Sequence, residues 1–188
     1  MKIPILANDP SFTHWGMARM LLDLDTLELE LTGLRLIVTK KNPNKTVRVT
    51  ADDLVRSQKL STAFLQEAAG VSAIFTEVPS GAQDAKSSRA FGIVVGILAS
   101  SPIPVTQIMP LETKAVVKPY ASKGEMIEAM VAKYPHADWL RARGKATGPL
   151  IADNEHLADA IAVAEAGVLT DEFRRSLAMM RGSFRMAA

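Results

Sequence analysis

Apolar and polar positions alternate with a period of two between His14 and Val38. Leu27, Leu29 and Leu31 fall on one side, Thr26, Glu28 and Glu30 on the other, and after Gly33 the series resumes as Leu34, Leu36 and Val38. This predicts an antiparallel meander of two or three strands with one face in water. Before it, residues 3–7 (IPILA) form an unbroken apolar run ending at Asn8-Asp9-Pro10-Ser11, the pattern of a buried strand that delivers polar groups at its C-terminal end. After a loop at 40–46 (KKNPNKT), Asp52 and Asp53 suit the first turn of a helix running from near Thr50 to Gly70, with Leu54, Phe64, Leu65 and Ala68 toward the core. A strand at 71–77 (VSAIFTE) and a helix at 83–99 come next, the helix carrying small residues Ala90, Gly92 and Gly96 that permit close packing. A strand-like piece over 105–117 is interrupted by Pro110, and helices fit at 123–134 and 154–166, the last running toward a basic helix at 171–182. The order βββαβαβαα predicts an α/β fold, a mixed sheet flanked by helices.

Composition narrows the chemistry. The 188 residues suit one globular domain. The absence of cysteine excludes disulfides, thiol nucleophiles, zinc knuckles and Fe–S ligation, and three histidines (14, 136 and 156) are too few for a His-rich metal site. A metal, if used, is held mainly by carboxylate oxygen, which points to Mg²⁺ or Mn²⁺. With no signal-like or membrane-length apolar stretch, the expected location is the cytoplasm. Net charge is only +2, yet residues 114–145 hold seven basic side chains against three acidic ones. Such a segment fits a polyanion partner, although solvated faces of this kind are common.

Three acids stand where burial should forbid them. Asp9 closes one apolar strand, Glu77 closes another (AIFTE), and Asp159 lies in an alanine-rich helix (LADAIAVA). Buried carboxylates need a partner, because desolvating an isolated charge costs several kcal/mol. In open α/β sheets, sites form beyond the carboxyl ends of strands, and His156 shares a helix face with Asp159 at i, i+3. If that face packs beside the two strand ends, three carboxylates and an imidazole converge, an arrangement that divalent cations relieve. Singly, Asp9 also reads as a turn residue, Glu77 as an ordinary strand-end charge and His156 as a surface histidine.

Four segments resemble the RuvC family of Holliday junction resolvases, of the RNase H-like superfamily. They are Ala7-Asn8-Asp9-Pro10-Ser11 with Trp15-Gly16-Met17-Ala18, the stretch from Glu77 through Ser87 to Gly92, Lys114-Ala115-Val116-Val117, and Ala158-Asp159-Ala160-Ile161-Ala162. The resemblance spans most of residues 3–167 and implies an RNase H-like fold with a mixed five-stranded sheet, as one nuclease domain with a helical extension at about 168–188. It implies a Mg²⁺-dependent endonuclease that resolves four-way DNA junctions by paired nicks in recombination and repair, leaving 5′ phosphate and 3′ hydroxyl ends. Asp9, Glu77, His156 and Asp159 would be the catalytic and metal residues, around two Mg²⁺ ions for which Mn²⁺ substitutes. DNA would be held by Lys114, Lys118 and Lys123 and by Ser80, Gly81, Gln83, Lys86, Ser87 and Arg89, the last group at a helix N-terminus suited to phosphate. A homodimer, with the face of 83–99 as its interface, would match the junction's two-fold symmetry.

Three features depart from the family pattern. Ser11 replaces a glycine, residues 168–188 have no counterpart, and Ser80 stands where many members place an aromatic ring. Losing a base stack worth about 1–3 kcal/mol keeps a second reading open: a less selective nuclease of flaps, forks and replication intermediates, such as phage-encoded relatives supply to the host cytoplasm. A non-catalytic nucleic-acid-binding module on the same fold is the third.

Overall fold

The computed structural model describes residues 1–79, 81, 84–145 and 147–186, with 180–186 as backbone only. Three strands come first, β1 (Lys2–Pro10), β2 (His14–Asp23) and β3 (Leu29–Val38), followed by helix α1 (Val49–Ala68) and strand β4 (Ala73–Glu77). Helix α2 (Ala85–Ala99), strand β5 (Val105–Ile108) and helices α3 (Pro110–Ala115), α4 (Lys123–Lys133), α5 (Asn154–Gly167) and α6 (Asp171–Met186) complete the chain. The sheet is mixed and five-stranded in the order β3-β2-β1-β4-β5, with β1 antiparallel to β2 and parallel to β4.

The apolar run of β1 follows from its central place, buried on both faces. Ile5 and Ala7 join Ala18, Met20, Leu22 and Phe75 in a core beneath α5, while Leu6 joins Trp15, Met17, Ile37 and Ile74 beneath α1 and α2. The meander therefore does not keep one face in water. Its second face is covered by α1, with Trp15 against Phe64 at 5.6 Å between ring centroids, and only the far end of β3 stays wet. The phase change from odd to even leucines has a structural cause. Arg19 pairs with Gly33 and Met20 with Leu31, so Thr32 is an extra residue whose hydroxyl donates to the Arg19 carbonyl.

Three further expectations are corrected. Leu54 and Leu65 are 60% and 42% exposed, because the inward stripe of α1 is Asp53, Arg56, Leu60, Ala63, Phe64 and Ala68. Its first turn buries an ion pair where the hydropathy pattern asks for an apolar residue. The segment 105–117 is a four-residue strand and then α3. Pro110 presets the helical φ of α3, and the Met109 N–H donates to Glu112. Finally, among the described residues nothing lies within 4 Å of where a Cβ on Gly92 or Gly96 would stand, so no close packing among them uses these glycines. Among the described residues no helix is long and apolar enough to cross a membrane.

Candidate active site

β1 and β4 run parallel and in register, Asn8 opposite Thr76, so Asp9 and Glu77 are the next residues along adjacent strands. Two residues earlier on each strand, Ala7 and Phe75 lie in the core under α5, and by strand alternation Asp9 and Glu77 point to that same side. Buried Asn8 locks the two strand ends from the opposite face. It accepts from Trp15 Nε1 at 3.1 Å and donates to the Phe75 carbonyl at 3.4 Å.

Two glycines seat α5. Gly16 pairs with Asp9 across the sheet, and a Cβ there would lie 2.0 Å from the His156 carbonyl oxygen. At the other end, a Cβ on Gly167 would lie 2.5 Å from the Phe75 ring. The start of α5 is fixed by Asn154, fully buried, whose amide donates to the Leu140 and Ile151 carbonyls and whose Oδ1 accepts from the Leu140 N–H. The helix backbone thus lies directly on β2 beside Asp9, which a side chain at position 16 would prevent.

The charged groups meet at this edge. His156 Nδ1 is 2.8 Å from Asp9 Oδ2 and its Nε2 is 3.5 Å from Glu155 Oε1, while its ring stacks on His14 at 4.9 Å and 10°. Glu155 accepts from Lys123 at 3.0 Å, and Glu77 from Thr113 Oγ1 at 3.3 Å. Burial, then the charges of Asp9 and Glu77, push Asp159 up to about 7 against the opposing influence of His156. Burial and Asp9 also raise Glu77, partly offset by Thr113 and Lys114. For His156, burial favours the neutral ring, but the bond to Asp9 and the charges of Asp9, Glu155 and Asp159 outweigh it, so its affinity for a proton rises. All four expected residues are therefore electrostatic neighbours. Among the described residues, however, no three His, Asp or Glu already close on one point as an ion cage, and His156 is turned onto Asp9. The donor set still suits a hard divalent cation, since mutually repelling carboxylates are what such an ion relieves.

The expected DNA-binding residues fare unevenly. Ser80 and Gln83 lie outside the described residues. Gly81 is exposed with φ of 74°. The N-terminus of α2 is not open for phosphate as expected, because Asp84 already accepts from the N–H groups of Lys86 and Ser87 and from the Ser87 hydroxyl. Arg89 Nε is 2.9 Å from Asp53 Oδ2. Lys118 pairs with Glu125 and Lys123 with Glu155, whereas Lys114 is exposed near Glu77.

No family model matches the chain, and no curated protein matches it in sequence. Solved structures do overlay. RuvC from Thermus thermophilus bound to Holliday junction substrate matches with a TM-score of 0.59 at 18% identity, over 87% of this chain and 92% of that one. Thermus thermophilus RuvC alone gives 0.56 at 18% identity over the same shares. Fowlpox virus resolvase, in complex with substrate Holliday junction DNA, gives 0.56 at 10% identity over 89% of this chain and all of that one. The chain has the RuvC-type RNase H-like fold.

On this RuvC-type fold, three neighbours of the site escaped the sequence reading. Glu155 lies four residues before Asp159, so helical spacing alone puts both on one face. His14 lies two residues before Gly16 in β2, so strand alternation puts it on the α5 side. Thr113 carries no local signal, because its contact with Glu77 exists only once α3 is seated.

Proposed function

We propose that the chain is a metal-dependent endonuclease that resolves Holliday junctions by paired phosphodiester nicks. The observation that carries this reading is the convergence of Asp9, Glu77 and Asp159 at one edge of the sheet, where burial first and then the two neighbouring carboxylates raise Asp159 to about 7. Asp9, Glu77, Asp159 and His156 would hold Mg²⁺, two ions per site with Mn²⁺ able to substitute, which when bound supply neutralisation of the phosphate and of the leaving oxygen.

The chain's own groups divide the remaining work. Asp159, whose proton burial and its carboxylate neighbours hold up to about 7, would supply a ligand charge to a bound cation once deprotonated. His156, between Asp9 and Glu155, keeps a proton at Nδ1 within reach of the reacting edge. Lys114, beside Glu77, places positive charge where a phosphate would approach. The protein acts as a homodimer on branched DNA, in the cytoplasm or in that of a host cell, as one nuclease domain whose residues 168–188 are an extension. A less selective branched-DNA nuclease is the second reading, favoured by the serine at position 80.

The test is cleavage of four-way junction, three-way junction, flap and linear duplex by the purified protein with Mg²⁺ and with Mn²⁺. Preferential paired nicking of the four-way junction is expected, and Asp9→Asn and Glu77→Gln should remove cutting while keeping or strengthening binding. Equal cutting of linear duplex would overturn junction selectivity. Cleavage that survives both substitutions would overturn the site, and no cleavage with either metal would leave a binding module.

A further inference from the structure

A cavity of about 620 Å³ opens on the side of the β1–β2 turn away from α5. Lys40, Lys41, Arg56, Lys86 and Arg89 contribute its cations against the carboxylates Asp53 and Asp84, with Phe12 and Phe91 as aromatic lining. It adjoins the catalytic edge, because His14 lines it and also stacks on His156, which bonds Asp9.

The floor is rigid. The Arg56 guanidinium lies 3.9 Å from the Phe12 ring centroid and donates to Thr39 Oγ1 at 3.1 Å and to the Phe12 carbonyl at 3.2 Å. Asp53, with a side chain only 10% exposed, presents Oδ2 to Arg89 Nε across the cavity at 2.9 Å. That oxygen has no aligned hydrogen-bond donor among the described residues. Asp53 holds the Nε edge of the Arg89 guanidinium, and the Arg89 side chain is otherwise about half exposed.

The rim lysines differ from three lysines of the basic segment the sequence offers for DNA. There, Lys118, Lys123 and Lys133 are each held by a carboxylate of the chain itself. Lys40 and Lys41 are exposed and, among the described residues, make no ion pair. A lysine already paired with a carboxylate must give up that partner to neutralise a phosphate, whereas an unpaired one displaces the DNA's condensed counterion at no such cost.

We propose that this cavity is a substrate subsite, gripping the sugar-phosphate backbone of a DNA strand beside the phosphate at the catalytic edge, with Lys40 and Lys41 as its main phosphate contacts. The proposal rests on the nuclease reading above.

The experiment measures binding of a four-way junction and of a linear duplex by fluorescence anisotropy across a salt series, in EDTA so that nothing is cut. It compares the full chain with a Lys40→Ala/Lys41→Ala variant and a Lys118→Ala/Lys123→Ala variant. All four lysines are exposed, so melting temperatures verify that folding is kept. The first variant should lower the slope of log K against log salt by about 1.4–1.8, which is roughly 25- to 60-fold in affinity at 0.1 M salt. The second should change it by much less. An unchanged slope for Lys40→Ala/Lys41→Ala, with the full chain binding and cutting junctions, overturns the subsite alone. A larger loss in the Lys118→Ala/Lys123→Ala variant overturns it as well. A full chain that neither binds nor cuts any branched DNA overturns the nuclease reading and this proposal with it.

Discussion

Asp159 makes the metal-free protein sensitive to pH in a direction that can be worked out. Its ordinary value of 3.8 is raised in the fold to about 7, by burial first and then by Asp9 and Glu77. Between those two values the native state keeps a proton that the unfolded chain has released. Stability is therefore full below about pH 4, falls as pH rises, and is lost above about 7, by a few kcal/mol. Thermal melts in EDTA at pH 5 and pH 8 should show this drop, Mg²⁺ should restore the pH 8 value, and Asp159→Asn should flatten the dependence. A variant as pH-sensitive as the parent would place the titration elsewhere. The three carboxylates were legible in the sequence because a charge that ends an apolar strand or interrupts an alanine helix is anomalous among its immediate neighbours, and His156 followed from its i, i+3 spacing to Asp159. Which cations are neutralised was not, since Lys123 meets Glu155 and Arg89 meets Asp53 only through contacts between elements distant in the chain.

At the scale of elements, the site depends on how closely α5 lies on the sheet, and Gly16 is the test. A methyl group there would meet the His156 carbonyl at 2.0 Å, a backbone atom that cannot rotate away. Gly16→Ala should destabilise the fold by about 1–3 kcal/mol and separate His156 from Asp9, seen as a lower melting temperature and a shifted His156 imidazole resonance. If Gly16→Ala melts like the parent, α5 is not seated by that contact. Helix α4 depends on pH in the opposite sense to Asp159. Lys118 first, then the backbone N–H and hydroxyl of Ser122, hold Glu125 down to about 2 from 4.5. Its capping contribution is thus present above about pH 4.5 and lost as pH falls through about 2. Protection factors for the first turn of α4 should fall over that window in the parent and stay level in Glu125→Gln. The leucines' shift from odd to even positions was legible, but its cause, the extra residue Thr32 opposite Arg19 and Met20, and the Ser122–Glu125 cap emerge only in the fold. Leu54 misled because the first inward turn of α1 is filled by Asp53 and Arg56, polar groups that no apolar periodicity reports.

Across the whole molecule, a net charge of +2 conceals an acidic edge, a basic segment in which three lysines are neutralised from within, and a cavity whose rim lysines, among the described residues, make no ion pair. One surface remains unused by the fold. On α2, Gly92 and Gly96 have nothing within 4 Å of where a Cβ would stand, and Val95 beside them and Leu65 on α1 are each 42% exposed. Glycine in a helix interior costs up to about 1 kcal/mol against a good helix former, and no described residue packs against either of the two on this helix. The proposed homodimer gives them a use: a flat strip on which a second copy of α2 can lie close, placing two catalytic edges on the two strands of a symmetric junction. Gly96→Lys separates the roles, since lysine favours the helix and meets open space within the protomer but brings two charges together across a two-fold contact. The variant should melt at or slightly above the parent temperature, sediment as a monomer where the parent is a dimer, and release singly nicked junctions in place of paired products. A Gly96→Lys protein that stays dimeric and still nicks in pairs would exclude this face as the interface. A parent that is monomeric at the concentrations where it cuts would remove the dimer from the mechanism altogether.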